Sequence, residues 1–210
     1  MKYLTTLVEG PGDVAAVPVL LRQLLRRAQA YEWQPAEPMK VDGLGALRKR
    51  MTKFAEALRI KMNAGTCHGV LVLLDLDDGC PRAEAVALAA DFAAFGLPYP
   101  VAVVFAHREY EEWLVASLPT IAPQTPLLSN DLTRDYAMES KRGVKGWLTA
   151  HMPSGCIYKE TTHQEEFTRH LDPDLAQECR SFRRLLGGVA EVLTGAGQPE
   201  TLRRGLATPL

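Results

Sequence analysis

The sequence predicts an α/β fold, a mostly parallel sheet flanked by helices with a helical extension behind it. Three observations carry that expectation. Val70-Leu-Val-Leu-Leu74 is an unbroken apolar run, too short for an ordinary helix and rich in branched residues, so it reads as a central strand covered on both faces. Strand and helix patterns alternate through the first half, which favours parallel pairing and a site at the carboxyl ends of the strands. Past Pro119 the strand signals stop, and Pro123, Pro126, Asn130 and Asp131 mark a connection into a helical region. The expected division is residues 1–118 for the sheet domain and 119–210 for the helical extension, with a partly disordered tail from Gly195.

Taken in order, residues 2–8 form a β-rich segment, and Glu9-Gly-Pro-Gly-Asp13 makes a sharp turn into an amphipathic helix over 14–29. Val14, Val17, Leu21, Leu24, Leu25 and Ala28 recur there at helical spacing, and Asp13 is placed to cap the first turn. A short strand is expected at 37–41, with Pro35 and Pro38 signalling a sheet edge. A helix over 42–62 turns Leu47, Met51, Phe54 and Leu58 inward and Arg48, Lys49 and Lys53 outward. That basic face is either simply solvated or touches a phosphate backbone. After the central strand come a helix over 81–95, a buried strand at 101–106 and a helix over 107–117. The first turn of the last carries Glu109, Glu111 and Glu112, where acidic side chains suit the helix dipole. In the extension, helices are expected over 135–152, from a Thr162/Glu165 capping box, from Asp172-Pro173 and from Ser181.

Composition bounds the function. With 210 residues, 47% hydrophobic and 23% charged, the chain can bury a full core. Its 24 basic and 25 acidic residues leave a net charge of -1, so a polyanion would have to be gripped locally and nucleic acid would bind weakly unaided. Neither a signal peptide nor a membrane span is visible, and a cytoplasmic location is expected. Cys67, Cys80, Cys156 and Cys179 form no Cys-x-x-Cys pair, which predicts reduced, mostly buried thiols rather than zinc or disulfides.

Chemistry concentrates where the central strand ends. Asp75 and Asp77 point the same way by strand alternation, with Asp78 opposite or in the turn. Two carboxylates about 4 Å apart repel by roughly 4 kcal/mol at an effective dielectric of about 20, a cost that protonation, a basic partner or a divalent cation offsets. Oxygen-only donors at a strand tip suit Mg2+ or Mn2+. The plainer alternative is that these acids solubilise a strand end and cap the next helix. Gly10-x-Gly12-x-x-Ala15 loosely fits a dinucleotide fingerprint, but Glu9 and Asp13 flank it with carboxylates that repel a pyrophosphate. The glycines are expected instead to bring Glu9 close to Asp75 and Asp77 through a turn too tight for side chains.

A first-strand Glu-Gly followed by a helix, and a later buried strand ending Asp-Leu-Asp-Asp, resembles the Toprim domain of topoisomerases, primases and nucleases of the overcoming-lysogenization-defect type, over about residues 1–118. More narrowly, Val8-Glu-Gly-Pro-Gly-Asp13, Asp75-Leu-Asp-Asp-Gly-Cys-Pro81, Arg108-Glu-Tyr-Glu-Glu-Trp113 and Ser181-Phe-Arg-Arg184 together resemble a small bacterial Toprim-like family of undefined function. The resemblance implies a Rossmann-like sheet, Glu9 as acid/base, Asp75 and Asp77 as metal ligands, and an ATPase partner in phage defence. Pro11-Gly12 and the helical second half depart from the general pattern. The resulting expectation is a Mg2+- or Mn2+-dependent nuclease. In it Glu109 or Glu111 completes the ligand set, and Lys145 or Lys159 stabilises transition-state charge. Gly10, Gly12, Asp13, Asp78 and Arg108 take supporting positions. The competing class is a non-catalytic, regulatory interaction subunit of an ATPase complex, and a dinucleotide enzyme is the remote third.

Overall fold

The computed structural model describes residues 1–195. Its core is a parallel sheet of five strands, β1 (Lys2–Val8), β2 (Trp33–Pro35), β3 (Met39–Lys40), β4 (Gly69–Leu76) and β5 (Val101–His107). The order is β2-β1-β4-β5, and β3 joins the same edge of β1 as β2. The expected edge strand is thus two short pieces. Pro35 and Pro38 supply no N–H to a ladder, which interrupts the pairing between the Leu4 and Leu7 registers.

Side-chain alternation divides the core into two layers. Leu4, Val8, Leu71, Leu73, Ala102 and Val104 face α1 (Pro11–Arg27) and α10 (Arg180–Gly195). Leu7, Val70, Val72, Leu74 and Phe105 face α2 (Leu44–Lys49), α3 (Met51–Asn63) and α4 (Pro81–Ala93). With both faces covered, β4 is apolar at nearly every position, as a central parallel strand requires. The molecule is a Rossmann-like α/β fold with a C-terminal helix on its sheet.

Beyond β5 lie α5 (Glu111–Ala116), α6 (Leu118–Ile121), α7 (Val144–Ala150), a π-helical turn (Glu160–Gln164), α8 (Glu165–Thr168), α9 (Pro173–Ala176) and α10. One apolar core runs across position 118, because Phe182, Leu185, Val189 and Leu193 pack with Leu71 and Val104. Gly188 permits this closeness, since a Cβ there would stand 2.8 Å from Val104 Cγ2.

Several boundaries differ from the sequence reading. The helix expected over 42–62 breaks at Arg50, whose guanidinium donates to the Val41 carbonyl and Asp42. The one expected over 135–152 shrinks to α7, while the preceding segment is held by tertiary bonds such as Trp147 Nε1 to Asp135 at 2.9 Å. Thr162 caps no helix and sits within the π-turn, whereas Asp172 does cap α9, accepting from Asp174 N. Of the expected reduced thiols, Cys67 and Cys179 are buried, Cys156 is half-buried and Cys80 is exposed; all four are free. Gly195, where the disordered tail was expected to begin, is the last residue of α10, and the rest of that tail lies outside the described residues. Among the described residues no helix is long and apolar enough to cross a membrane.

Candidate functional site

The sheet delivers Glu9 and Asp75 to the carboxyl ends of the adjacent strands β1 and β4. The Asp75 backbone N–H donates to Glu9 Oε2 at 3.2 Å. Gly43 lies beside this carboxylate in the left-handed region at φ 92°, which favours glycine; a Cβ there would make only an ordinary 3.6 Å contact with Glu9 Oε1. Asp75 Oδ1 in turn accepts from the Tyr110 N–H at 3.0 Å. That contact depends on Arg108, whose N–H still bonds Leu76 as a continuation of β5 before its φ of 73° swings the chain toward α5. A left-handed arginine is a strained position of the kind concentrated at functional sites.

The segment past residue 140 closes the site. Lys145 on α7 places Nζ 2.5 Å from Glu160 Oε1, 3.8 Å from Glu111 Oε2 and 3.9 Å from Asp75 Oδ2. Glu111 is fully buried; its Oε1 accepts from Tyr158 OH at 3.0 Å, and its Oε2 has no hydrogen-bond partner. Asp13 accepts from the Gly10 N–H at 2.9 Å and from Gln164 Nε2 at 2.8 Å, so Gly10 holds the cap position and Asp13 bonds back from the first turn. Gly12 does not serve a tight turn, as the sequence suggested. Its missing Cβ makes space for the π-turn, because an added one would lie 2.1 Å from Gln164 Oε1 and 2.7 Å from Glu160 Cβ.

Electrostatically the site is short of positive charge. Burial, then the neighbouring Glu111, Asp13 and Glu9 carboxylates, hold the Asp75 pKa well above its usual range. Burial raises Glu9 and Asp13 as well, and lifts Glu111 to about 7 even with Lys145 and Tyr158 pulling down. Burial works against the Lys145 ammonium, yet Glu111, Glu160 and Asp75 overcome it and hold the pKa above that of an ordinary lysine. The adjacent Glu112, also fully buried, is lifted to about 7 by burial and by the Glu139 and Glu109 carboxylates.

Of the residues singled out in the sequence, Glu9, Asp13, Asp75, Glu111 and Lys145 come together. Asp77 lies exposed beyond the end of β4, close enough to Glu9 to raise its pKa. Asp78 is exposed and paired with Arg142. Glu109 is taken up by α7, accepting from the Gly143 and Lys145 N–H groups at 3.1 and 3.0 Å. Lys159 is exposed; its neighbours Tyr158 and Glu160 reach the site instead. Arg48, Lys49 and Lys53 ride on α2 and α3, which cover the sheet face opposite α1, and Arg48 is paired with Glu84. Tyr110, Tyr158, Glu160 and Gln164 escaped the sequence reading. The density of polar residues in Tyr158-Lys-Glu-Thr-Thr-His-Gln164 was the available signal.

Fold and site together define a Rossmann-like α/β protein with a half-buried acidic centre at its strand tips. The model of the domain of unknown function DUF4276 matches residues 8–190, and the chain belongs to that family. No curated protein and no solved structure matches it.

Proposed function

We propose that this chain is a Mg2+- or Mn2+-dependent phosphoryl-transfer domain that hydrolyses phosphodiesters of nucleic acid, working in the cytoplasm with an ATPase partner in phage defence. One observation supports it above the others. Glu9, Asp13, Asp75, Glu111 and Glu160 interact around the ammonium of Lys145, and Glu111 Oε2 is buried with no hydrogen-bond donor. Carboxylates lifted by burial first and by one another second favour a further cation, and an all-oxygen set suits a hard divalent ion. Among the described residues no three His, Cys, Asp or Glu side chains stand ready around a metal position. Glu9, Asp75 and Glu111 are the residues that would hold an ion, in competition with Lys145. The ion would supply Lewis-acid polarisation of the phosphodiester.

The chain's own groups cover the remaining work. Glu9, with its raised pKa and its Asp75 N–H anchor, suits proton acceptance from a nucleophile. Lys145 offers charge to a developing oxyanion. Tyr158 orients Glu111, and the Tyr110 N–H orients Asp75. The test is Mn2+-dependent cleavage of single- and double-stranded DNA and RNA at low salt. Wild type should cut at least one form, and Glu9→Gln should lose about a hundredfold or more while remaining folded.

A second reading, a non-catalytic subunit that contacts the ATPase, draws on the occupied state of the acids. Glu109 caps α7, and Asp13 and Asp75 each accept backbone bonds, as structural acids would. Confirmed folding with no cleavage of any nucleic acid in Mn2+ would favour it.

A further inference from the structure

At the other end of α1 a cleft of about 290 Å³ opens between the helix and the edge strand β2, lined by Arg22, Leu25, Arg26, Tyr31, Trp33 and Gln34, among others. Arg22 and Arg26 lie one helical turn apart and are exposed, and neither guanidinium has a hydrogen-bond or ion-pair partner among the described residues. Their neighbour Arg27 differs, being paired with Asp174. Tyr31 is 72% exposed, so its ring is open to solvent beside the two arginines. Trp33 is only 4% exposed, yet its indole N–H is buried without an acceptor. Lys2 Nζ stands 5.4 Å over the indole ring and adds positive charge nearby.

We propose that this cleft binds a nucleoside phosphate unit, either as a free nucleotide or as one residue of a single strand. Two forked guanidiniums on one face match a phosphate. An exposed tyrosine gives a base a stacking surface that tolerates any sequence. The Gln34 amide supplies a polar contact, and Leu25 and Ala30 the apolar floor. The volume is near the lower end of the roughly 300–1,000 Å³ of small-molecule sites, which fits one nucleotide unit and not a larger ligand. At a rise of about 1.5 Å per residue, Arg22 and Arg26 lie about 14 and 20 Å along α1 from Asp13, so the cleft is separate from the acidic centre. The proposal therefore stands without the catalytic reading.

The test is calorimetry at low salt, with Trp fluorescence as a second readout, using inorganic phosphate, AMP, UMP and a short single-stranded oligonucleotide as probes. AMP and UMP should bind saturably and more tightly than phosphate. Arg22→Ala with Arg26→Ala should weaken them at least about tenfold. Tyr31→Phe should keep binding and Tyr31→Ala lose it, and all three sites are exposed, so the fold is preserved. The double arginine variant should also leave any metal-induced rise in melting temperature unchanged. An oligonucleotide that binds more tightly than AMP, with a log-log salt slope reduced by about 1.4 in the double variant, identifies a strand as the source. Equal or weaker oligonucleotide binding identifies the free nucleotide. No saturable binding of any nucleotide probe, binding of phosphate alone, or unchanged affinity in the double arginine variant would overturn the proposal.

Discussion

The Asp75 N–H donates to Glu9 Oε2 across 3.2 Å, so the acid at the tip of β1 is fixed by the main chain of β4 while the Asp75 carboxylate stays free to turn toward Tyr110 and Lys145. Glutamine at position 9 would preserve an acceptor for that bond. Loss of function in Glu9→Gln would therefore report chemistry and not misfolding.

Asp75 and Asp77 should separate under metal titration. Asp75 is inside the acidic centre and Asp77 is exposed beyond it. Mg2+ or Mn2+ should raise the melting temperature of wild type by selective binding to the folded state. Asp75→Asn should abolish that rise, and Asp77→Asn should leave most of it. The reverse order would place the ligands at the exposed turn.

Stability should fall as the pH rises through neutrality. Burial lifts Glu111 and Glu112 to about 7 from 4.5. A carboxyl group whose pKa is higher in the folded state contributes stability that is complete below about 4.5 and is lost as pH climbs through about 7. Melting temperature should drop between about pH 5 and pH 8, and Glu112→Gln should flatten the drop by roughly 1–3 kcal/mol. A melting temperature that climbs steadily over the same range would mean that both glutamates ionise normally.

Lys145→Met should destabilise the protein most at alkaline pH, because Asp75, Glu111 and Glu160 lose their shared cation. The lysine is 36% exposed, so the expected loss is about 1–3 kcal/mol, below the roughly 3–5 kcal/mol of a fully buried pair. Under the metal-dependent reading the same variant should bind Mn2+ more tightly by calorimetry. Unchanged or weaker Mn2+ binding would show that the ammonium and the ion do not compete.

Gly12→Ala should cost about 1–3 kcal/mol through overpacking against Gln164 and Glu160, measured by urea unfolding. Gly146→Ala, inside α7 at a site with open space, is the control and should cost nothing or stabilise by up to about 1 kcal/mol.

Much of this was legible locally. The Val70-Leu-Val-Leu-Leu74 run announced a strand buried on both faces, and the alternation around it announced the parallel sheet, because both signals repeat within a few residues. Asp75 and Glu9 were legible for the same reason: each stands at the point where an apolar strand stops. The boundary of the Arg50 break was not, since the bonds that end α2 reach back to Val41 and Asp42 through one arginine side chain.

The sequence by itself determined the sheet, the helices that flank it and the acidic strand tips, all of which follow from periodicities of 2 and 3.6 residues. Only the tertiary structure decided which side chains complete the centre. Asp13 meets Gln164 across 151 positions, and Tyr110 meets Thr168 across 58. The helical second half supplies Lys145, Tyr158 and Glu160 because the π-turn and α8 pack on α1 while α7 packs on α5. Such contacts leave no periodic trace in the chain, and the π-turn that delivers Glu160 owes its place to the missing Cβ of Gly12.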